Sequence, residues 1–513
     1  QNQGSNFESP EQANPQLHRI LDKHSAKASP STRAKSSSSS SSSSSSKVGQ
    51  APIVMEGDLS AHVWASIKER VESSEDDAPF MIVDLDDVDS KVHAWRALLP
   101  RVEPFYAVKC HDDPEILRRL VSLGVGFDCA SKGEIDMVLA AGASPEDIIF
   151  AHPCKSKSHL LHAAKVGAEM MTFDNEDELY KIKRDFPEAK VLLRLLPDDS
   201  SAICQLGVKF GADIKSVHSL MQTCIDLQIN LVGVSYHVGS GCQDIAAFSE
   251  AVHLARRAFD IAEELGITLS ILDIGGGFPG ESVRHWKVAA EARAAAEASG
   301  SDDILEAKGD ARLFPALANQ LAPTLDQLFP PECGVRIIAE PGRYMVHSSC
   351  TLVANVLARR RTVVRNAEVY RYYINEGVYG SFNNIIYDHA TVQGFPLRVR
   401  NRRALDRGVS CESDDSTREP EDPLAVGAAD SDFTASEDAG SARTAFVGDI
   451  DGEELVEVSV WGPTCDGLDC VLKEVYLPRL EVGDWMYFPD MGAYTVAAAA
   501  KFNGFDIATK IYL

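Results

Sequence analysis

Basic residues are in short supply in this sequence: 50 Lys and Arg stand against 76 Asp and Glu, a formal charge of -26. A chain with that balance has no basic face to lay along phosphates, so nucleic acid is not its expected partner, whereas a cationic small molecule is compatible with it. Long apolar runs are missing too. None approaches the roughly 18 residues of a membrane span, so no membrane association is expected. CxxC pairs are absent, and the 11 cysteines are scattered and odd in number. Reduced thiols in the cytoplasm are expected rather than a disulfide framework, and no metal site is expected. No positively charged leader precedes an apolar stretch, and the start at Gln1 rather than Met suggests a missing upstream segment.

What is present fits two or three folded units. The 513 residues are 44% hydrophobic and 25% charged, ordinary values for a globular chain. Residues 1–50 are polar, with an unbroken serine run from Ser36 to Ser46, and are expected to form a disordered tail because they cannot bury enough surface to offset their ordering entropy. Residues 51–84 are expected to join a later β domain. From "PFMIVDLDDV" onward, short apolar runs alternate with amphipathic stretches: "PFYAVKC", "VGFDCA", "DIIFAHP", "MMTFD", "KVLLRLL", "LVGVSYHVGS", "LSILDIGGGFPG" and "VRIIAEPGRY". Buried strands each followed by a helix predict an α/β fold, a closed (β/α)8 barrel over 85–349, with an open doubly wound sheet as the alternative. An Ala-rich stretch over 281–312 reads as an insertion on the barrel rim. Residues 350–513 read as a mostly antiparallel β domain. It is split at about 400–453 by an Arg cluster and an acidic stretch, expected to be disordered, with fourteen Asp and Glu against two Arg between Cys411 and Glu454.

Several strand ends carry residues able to do chemistry. Lys109 leaves "PFYAVKC", and a desolvated lysine loses proton affinity and can form a Schiff base with an aldehyde, although a lysine at a strand end is more often plain surface. Gly275, Gly276 and Gly277 follow a strand directly, so backbone N–H groups can approach a phosphate. Glu340 and Arg343 in "AEPGRY" could pair with a pyridine nitrogen and clamp a phosphate, or simply pair with each other. His237 and Ser240 end another strand. A lysine for an aldehyde, a cradle for a phosphate, a carboxylate for a ring nitrogen and a flat side chain for a ring together suit one cofactor, pyridoxal 5'-phosphate.

The motifs "PFYAVKC", "GFDCASKGEI", "HVGSG", "LDIGGGFPG", "IIAEPGRY", "GVYGSFN", "YDHA", "WGPTCDGLD" and "GAYTVAAA" stand in the order found in eukaryotic ornithine decarboxylases, which the chain resembles from about Val83 to Leu513 outside the two insertions. These are fold-type III pyridoxal phosphate enzymes of alanine racemase-like architecture. The resemblance implies that Lys109 bonds the cofactor aldehyde, His237 lies on the ring and Glu340 meets the ring nitrogen. Gly275, Gly276, Gly277, Ser240, Arg343 and Tyr494 would hold the phosphate, with Asp128, Glu134 and Arg194 arranged around them. Asp388 and Asp466, with Tyr379 nearby, would receive the distal ammonium of L-ornithine. Cys465 would protonate the α-carbon, in a site shared across a homodimer. Putrescine is the implied product and antizyme a possible partner. A decarboxylase of lysine or another basic amino acid and a catalytically dead regulator of the antizyme-inhibitor kind are the competing readings.

Overall fold

Several strand runs in this chain are apolar on both faces, and the computed structural model shows where they are buried. It describes residues 59–73, 76–242, 244–283, 286, 314–364, 367–401, 444–447 and 454–513. The expected serine-rich tail, nearly all of the rim insertion and most of the acidic insertion lie outside these residues.

Strand β1 (Phe80–Val83) precedes the barrel. Then come β2 (Val102–Ala107), β3 (Gly126–Cys129), β4 (Ile148–Phe150), β5 (Met170–Phe173) and β6 (Lys190–Arg194). A two-stranded ribbon, β7 (Ala202–Cys204) with β9 (Ser240–Cys242), flanks β8 (Asn230–Ser235), and β10 (Ile271–Asp273) and β11 (Arg336–Ala339) finish the series. The parallel strands close in the order β10-β11-β2-β3-β4-β5-β6-β8. β3, β4 and β5 are buried at every position. Six of the intervening helices start at side chains that cap their free N–H groups: Asp84, Asp113, Ser131, Asn175, Asp213 and Asp244. Inside the barrel, Phe105, Ile149, Met170, Leu192, Ile271 and Ile338 form one apolar cluster. The polar strand-end residues are thereby left to the C-terminal mouth, where barrel active sites sit.

After the barrel the chain builds β12 (Cys350–Val364), β13 (Ala367–Ile374), β14 (Phe395–Asn401), β15 (Thr444–Val447), β16 (Leu455–Trp461), β17 (Cys470–Pro478), β18 (Trp485–Phe488) and β19 (Thr509–Tyr512). The sheet runs β15-β14-β18-β12-β13-β16-β17, with β1 on β12 and β19 on β1. All pairings are antiparallel except β1 with β19 and β13 with β16. Apolar Phe80 and Ile82 of β1 pack with Val353, Leu397 and Trp485 under helix Ala61–Ser73. The acidic insertion differs from expectation at its margins. Arg398–Asn401 pairs with Thr444–Val447, so ladder structure reaches into the expected 400–453 break from both sides. The short β-favouring run "TAFV" finds a partner strand that composition alone does not reveal.

The two parts are joined at the loop that follows Lys109. His111 Nδ1 donates to the Gly492 carbonyl at 2.8 Å, and Lys510 Nζ approaches His111 Nε2 at 3.3 Å. Lys510 also pairs with Asp113 at 2.6 Å, and the Tyr512 hydroxyl donates to the same carboxylate at 2.9 Å. A ring that donates at one nitrogen and accepts at the other is neutral. Burial, seconded by Lys510, pushes its pKa down to about 4.

Two outcomes follow. Trp95 is fully buried, lies 4.9–5.1 Å from the rings of Phe278, Phe314 and Tyr344, and donates Nε1–H to the Val102 carbonyl at 2.8 Å. Trp95→Ala should lower stability by about 3–5 kcal/mol in urea unfolding. His111 binds its proton at about pH 6.5 when unfolded but only near 4 when folded. Its contribution is therefore complete above 6.5 and lost as pH falls toward 4. His111→Gln keeps both bonding partners without titrating. Its urea midpoint should fall less steeply across that window than the wild type's, the remaining slope coming in part from buried His347, which burial pushes to about 3.

Candidate active site

Lys109 sits in a single 3-10 turn immediately after β2 and points its Nζ at Asp128 Oδ2 on neighbouring β3. Its side chain remains 43% accessible because it borders a cavity, while protein encloses that cavity. His237, Ser240, Gly277, Glu340, Arg343 and Tyr494 line the same space. They come from the ends of β8 and β11, from β9 and from the β domain, a convergence of distant segments that only the closed barrel permits.

The electrostatics correct one expectation. Burial is the largest influence on Lys109 and pulls its pKa down, as the isolated strand-end argument requires. Asp128, Glu340 and Tyr494 then outweigh it, so the net shift is upward and the amine is held as an ammonium. Glu340 is shifted the opposite way for a carboxyl. Burial, then the Asp273 and Asp128 carboxylates, raise it well above the usual range, and buried Asp273 itself rises to about 6, chiefly through burial. Acids crowded out of water retain a proton near neutrality. His237 accepts the Gly239 N–H at its Nδ1 at 3.0 Å, and burial, then Arg194 and Lys109, hold it far below its usual pKa, hence neutral.

The glycines are required by close approach. A Cβ on Gly275, at φ +61°, would lie 2.0 Å from the Tyr236 carbonyl oxygen, and one on Gly276 would lie 2.7 Å from His237 Nε2. On Gly277, at φ +100°, it would lie 2.6 Å from the Gly239 carbonyl oxygen. Asp273 accepts the Gly275 N–H at 2.9 Å and the Ser235 hydroxyl at 2.9 Å, fixing the start of this loop. Sequence reasoning passed over Asp273, although a carboxylate two residues before a glycine run is a readable signal for a turn anchor. Across the cavity, Arg343 donates to Ser240 Oγ at 3.1 Å, lies 5.2 Å from the Tyr494 ring centroid and pairs with Asp388 at 2.8 Å.

The remaining expected residues divide into two groups. Arg194 ends β6 with its guanidinium 5.2 Å from the Phe210 ring. Glu134 accepts the Ala130 N–H at 2.5 Å while Ser131 caps the same helix, so it braces the turn after Asp128. Cys465, Asp466 and Tyr379 are elsewhere: none lines the Lys109 cavity. Cys465 is exposed, and the Tyr379 hydroxyl bonds Asp466 while its ring stacks on Phe502 at 4.1 Å. Buried Asp469 holds their turn, accepting from Val378 N, Thr464 N and Thr464 Oγ1 at 2.8, 2.9 and 2.6 Å.

The cavity suits pyridoxal phosphate on its own chemistry. Asp128 Oδ1, Glu340 Oε1 and Asp388 Oδ2 are buried with no protein partner in the structure, an expensive state that a polar ligand would relieve. With the Gly275 N–H held by Asp273, the loop offers the N–H groups of Gly276 and Gly277 with Arg343 beside them, as a phosphate needs. Lys109 brings to the cavity an amine that can meet an aldehyde once it has given up its proton. Among the described residues, no helix is long and apolar enough to cross a membrane.

Comparison with known proteins agrees. Residues 85–347 match the model of the pyridoxal-dependent decarboxylase pyridoxal-binding domain. Ornithine decarboxylase of Mus pahari is 40% identical over 472 residues, covering 90% of this chain and 86% of that protein. Antizyme inhibitor 2 of Xenopus laevis is 38% identical over 463 residues, covering 88% and 85%. The arginine decarboxylase of Paramecium bursaria Chlorella virus has a solved structure that superposes with a TM-score of 0.69 at 30% identity, covering 88% of this chain and 100% of that one. By fold, motif order and extent of identity, the chain belongs to the ornithine decarboxylase family of pyridoxal-dependent decarboxylases.

Proposed function

We propose that the protein removes the α-carboxyl group of L-ornithine to give putrescine. The observation that carries this reading is the meeting, at one barrel mouth, of Lys109, a proton-retaining Glu340 and an Arg343 cradle with the partnerless oxygen of Asp388. Pyridoxal phosphate supplies an aldehyde that captures the substrate's amino group and a ring that takes up the electron pair left when carbon dioxide departs.

The chain's own residues would do the rest. Lys109 would hold the cofactor covalently, and Asp128 Oδ2 is the atom placed to take the proton from its Nζ. Glu340 would keep the ring nitrogen protonated, using the proton that burial and Asp273 already confine there. His237 would cover the ring as a neutral imidazole, so that no second positive charge faces it. Gly275, Gly276, Gly277, Ser240, Arg343 and Tyr494 would hold the phosphate, and Arg194 and Glu134 would keep the neighbouring residues in place. Asp388 would receive the substrate's far ammonium. Because one methylene is worth only about 1–3 kcal/mol of discrimination, lysine would be a slower substrate rather than an excluded one.

Cys465, Asp466 and Tyr379 would serve the cavity of a second subunit. Cys465 is exposed and Asp466 and Tyr379 are half-buried, with exposed Leu468 hydrogen-bonded to Asp466 and exposed Phe502 stacked on Tyr379. Such an apolar rim around a thiol fits an interface better than open solvent. In that arrangement Cys465 Sγ–H would deliver the proton to the α-carbon and Asp466 would add a second carboxylate for the ammonium. The ten described cysteines are free, which suits a thiol proton donor in a reducing compartment such as the cytoplasm. The similarity to antizyme inhibitor 2 favours a second reading, a non-catalytic regulator. The full set Lys109, Glu340, Arg343, Cys465 and Asp466 argues against it.

Subunit mixing tests both halves at once. Lys109→Ala and Cys465→Ala should each cut ornithine decarboxylation on the order of a hundredfold or more alone. Mixed and allowed to exchange subunits, they should recover about one quarter of wild-type activity, because half the dimers then hold one intact shared site of two. Failure to recover in demonstrably mixed dimers would refute the shared site, and wild-type inactivity toward ornithine would refute the substrate.

A further inference from the structure

Lys91 is a buried lysine outside the reaction described above. It projects from helix Leu85–Leu98 on the outer side of the barrel and is fully buried. Its ammonium donates to the carbonyl of Gly280 at 2.8 Å and to that of Glu281. The rings of Tyr344 and Trp286 lie 4.9 and 5.6 Å from Nζ. Carbonyl dipoles and aromatic faces thus do for this charge what water would do elsewhere. Burial lowers its pKa, opposed by Asp87, Glu281 and Asp490. A cation set in so dry a place is costly unless it fixes something.

What it fixes lies on both sides of the phosphate cradle. Gly280 ends the loop that begins with Gly275, and a Cβ there would lie 2.9 Å from the Arg343 carbonyl oxygen and 3.0 Å from Arg343 Cγ. The loop exit therefore rests on Arg343. Tyr344, the next residue, donates its hydroxyl to the Lys91 carbonyl at 2.9 Å. One residue thus holds the end of the glycine loop through its side chain and the neighbour of the arginine through its backbone.

We infer that Lys91 is a positioning residue for the cofactor's phosphate, setting the spacing between the Gly275–Gly280 loop and Arg343 without touching the ligand. The inference rests on the assignment of that loop and Arg343 to the phosphate. Removing the ammonium frees the loop exit, and the cradle loses its fit to a phosphate. Lys109, Asp128 and Glu340 lie on β3 or at the ends of β2 and β11, so aldehyde capture and the ring-nitrogen contact are unaffected.

The test compares two ligands on apoprotein. Pyridoxal 5'-phosphate and pyridoxal share the aldehyde and ring but only the first has the phosphate. Wild type should bind the phosphorylated form much more tightly; if it does not discriminate, the phosphate assignment and the inference fall together. Lys91→Met should weaken pyridoxal 5'-phosphate on the order of tenfold, the usual scale for a supporting residue, while pyridoxal affinity changes less than about twofold. Inorganic phosphate should compete correspondingly less well. Equal losses for both ligands, or none for either, in folded protein would overturn the role of Lys91 while leaving the phosphate site standing. Should Lys91→Met not fold, Lys91→Gln, which keeps a donating NH2 group but no charge, decides by the same ratio of affinities.

Discussion

Everything at the barrel mouth is organised around the contact between Lys109, at the edge of the cavity, and buried Asp128. Ion pairs partly withdrawn from water gain little net stability, and replacing buried pairs by apolar residues is often harmless to a fold. Here Asp128 even keeps one buried oxygen without a protein partner. A pair built for stability would satisfy that atom; a pair built to hold an amine in place and accept its proton need not. The same priority explains why Asp273 and Glu340 are crowded into one buried region: burial raises both, the Asp273 charge raises Glu340 further, and a hydrogen bond from Glu340 eases the ionisation of Asp273. Stability is given up locally so that charge and protons stand at fixed atoms before any ligand arrives.

The closing turn of the β domain shows two adjacent carboxylates used in opposite ways. Asp469 is buried and consumed by three donors from two segments, so it shapes the turn. Asp466 is outward, with the Tyr379 hydroxyl and the Leu468 N–H holding its pKa below the carboxylate norm. The first makes the second's position reproducible. Rigid support beneath Asp466 is what the proposed role in another subunit's site would require.

Much of this was legible beforehand, and unevenly so. Barrel strands such as "DIIFAHP" and "MMTFD" announce themselves because parallel strands are apolar on both faces, and chemistry at their ends follows from barrel geometry. β17 and β19 are quieter: "CVLKEVYLP" mixes charge into an edge strand, and Thr509–Tyr512 has no fully buried residue. The pairing of Arg343 with Asp388 and the upward shift of Lys109 depend on residues far apart in sequence, so a local reading of "PFYAVKC" as a desolvated amine reaches the wrong sign. Lys91 was invisible for the same reason, since nothing near it in the chain hints at Gly280.

The attachment of β19 to the loop behind Lys109 has a consequence for how the protein is made. Asp113 and Lys510 are 397 positions apart, so the clamp on that loop closes only after the barrel and nearly all of the described sheet have been synthesised. Until then the nascent barrel lacks both Tyr494 and its tie to the sheet. Chaperones meeting this polypeptide during synthesis therefore handle a barrel whose mouth stays open until the β domain has been made.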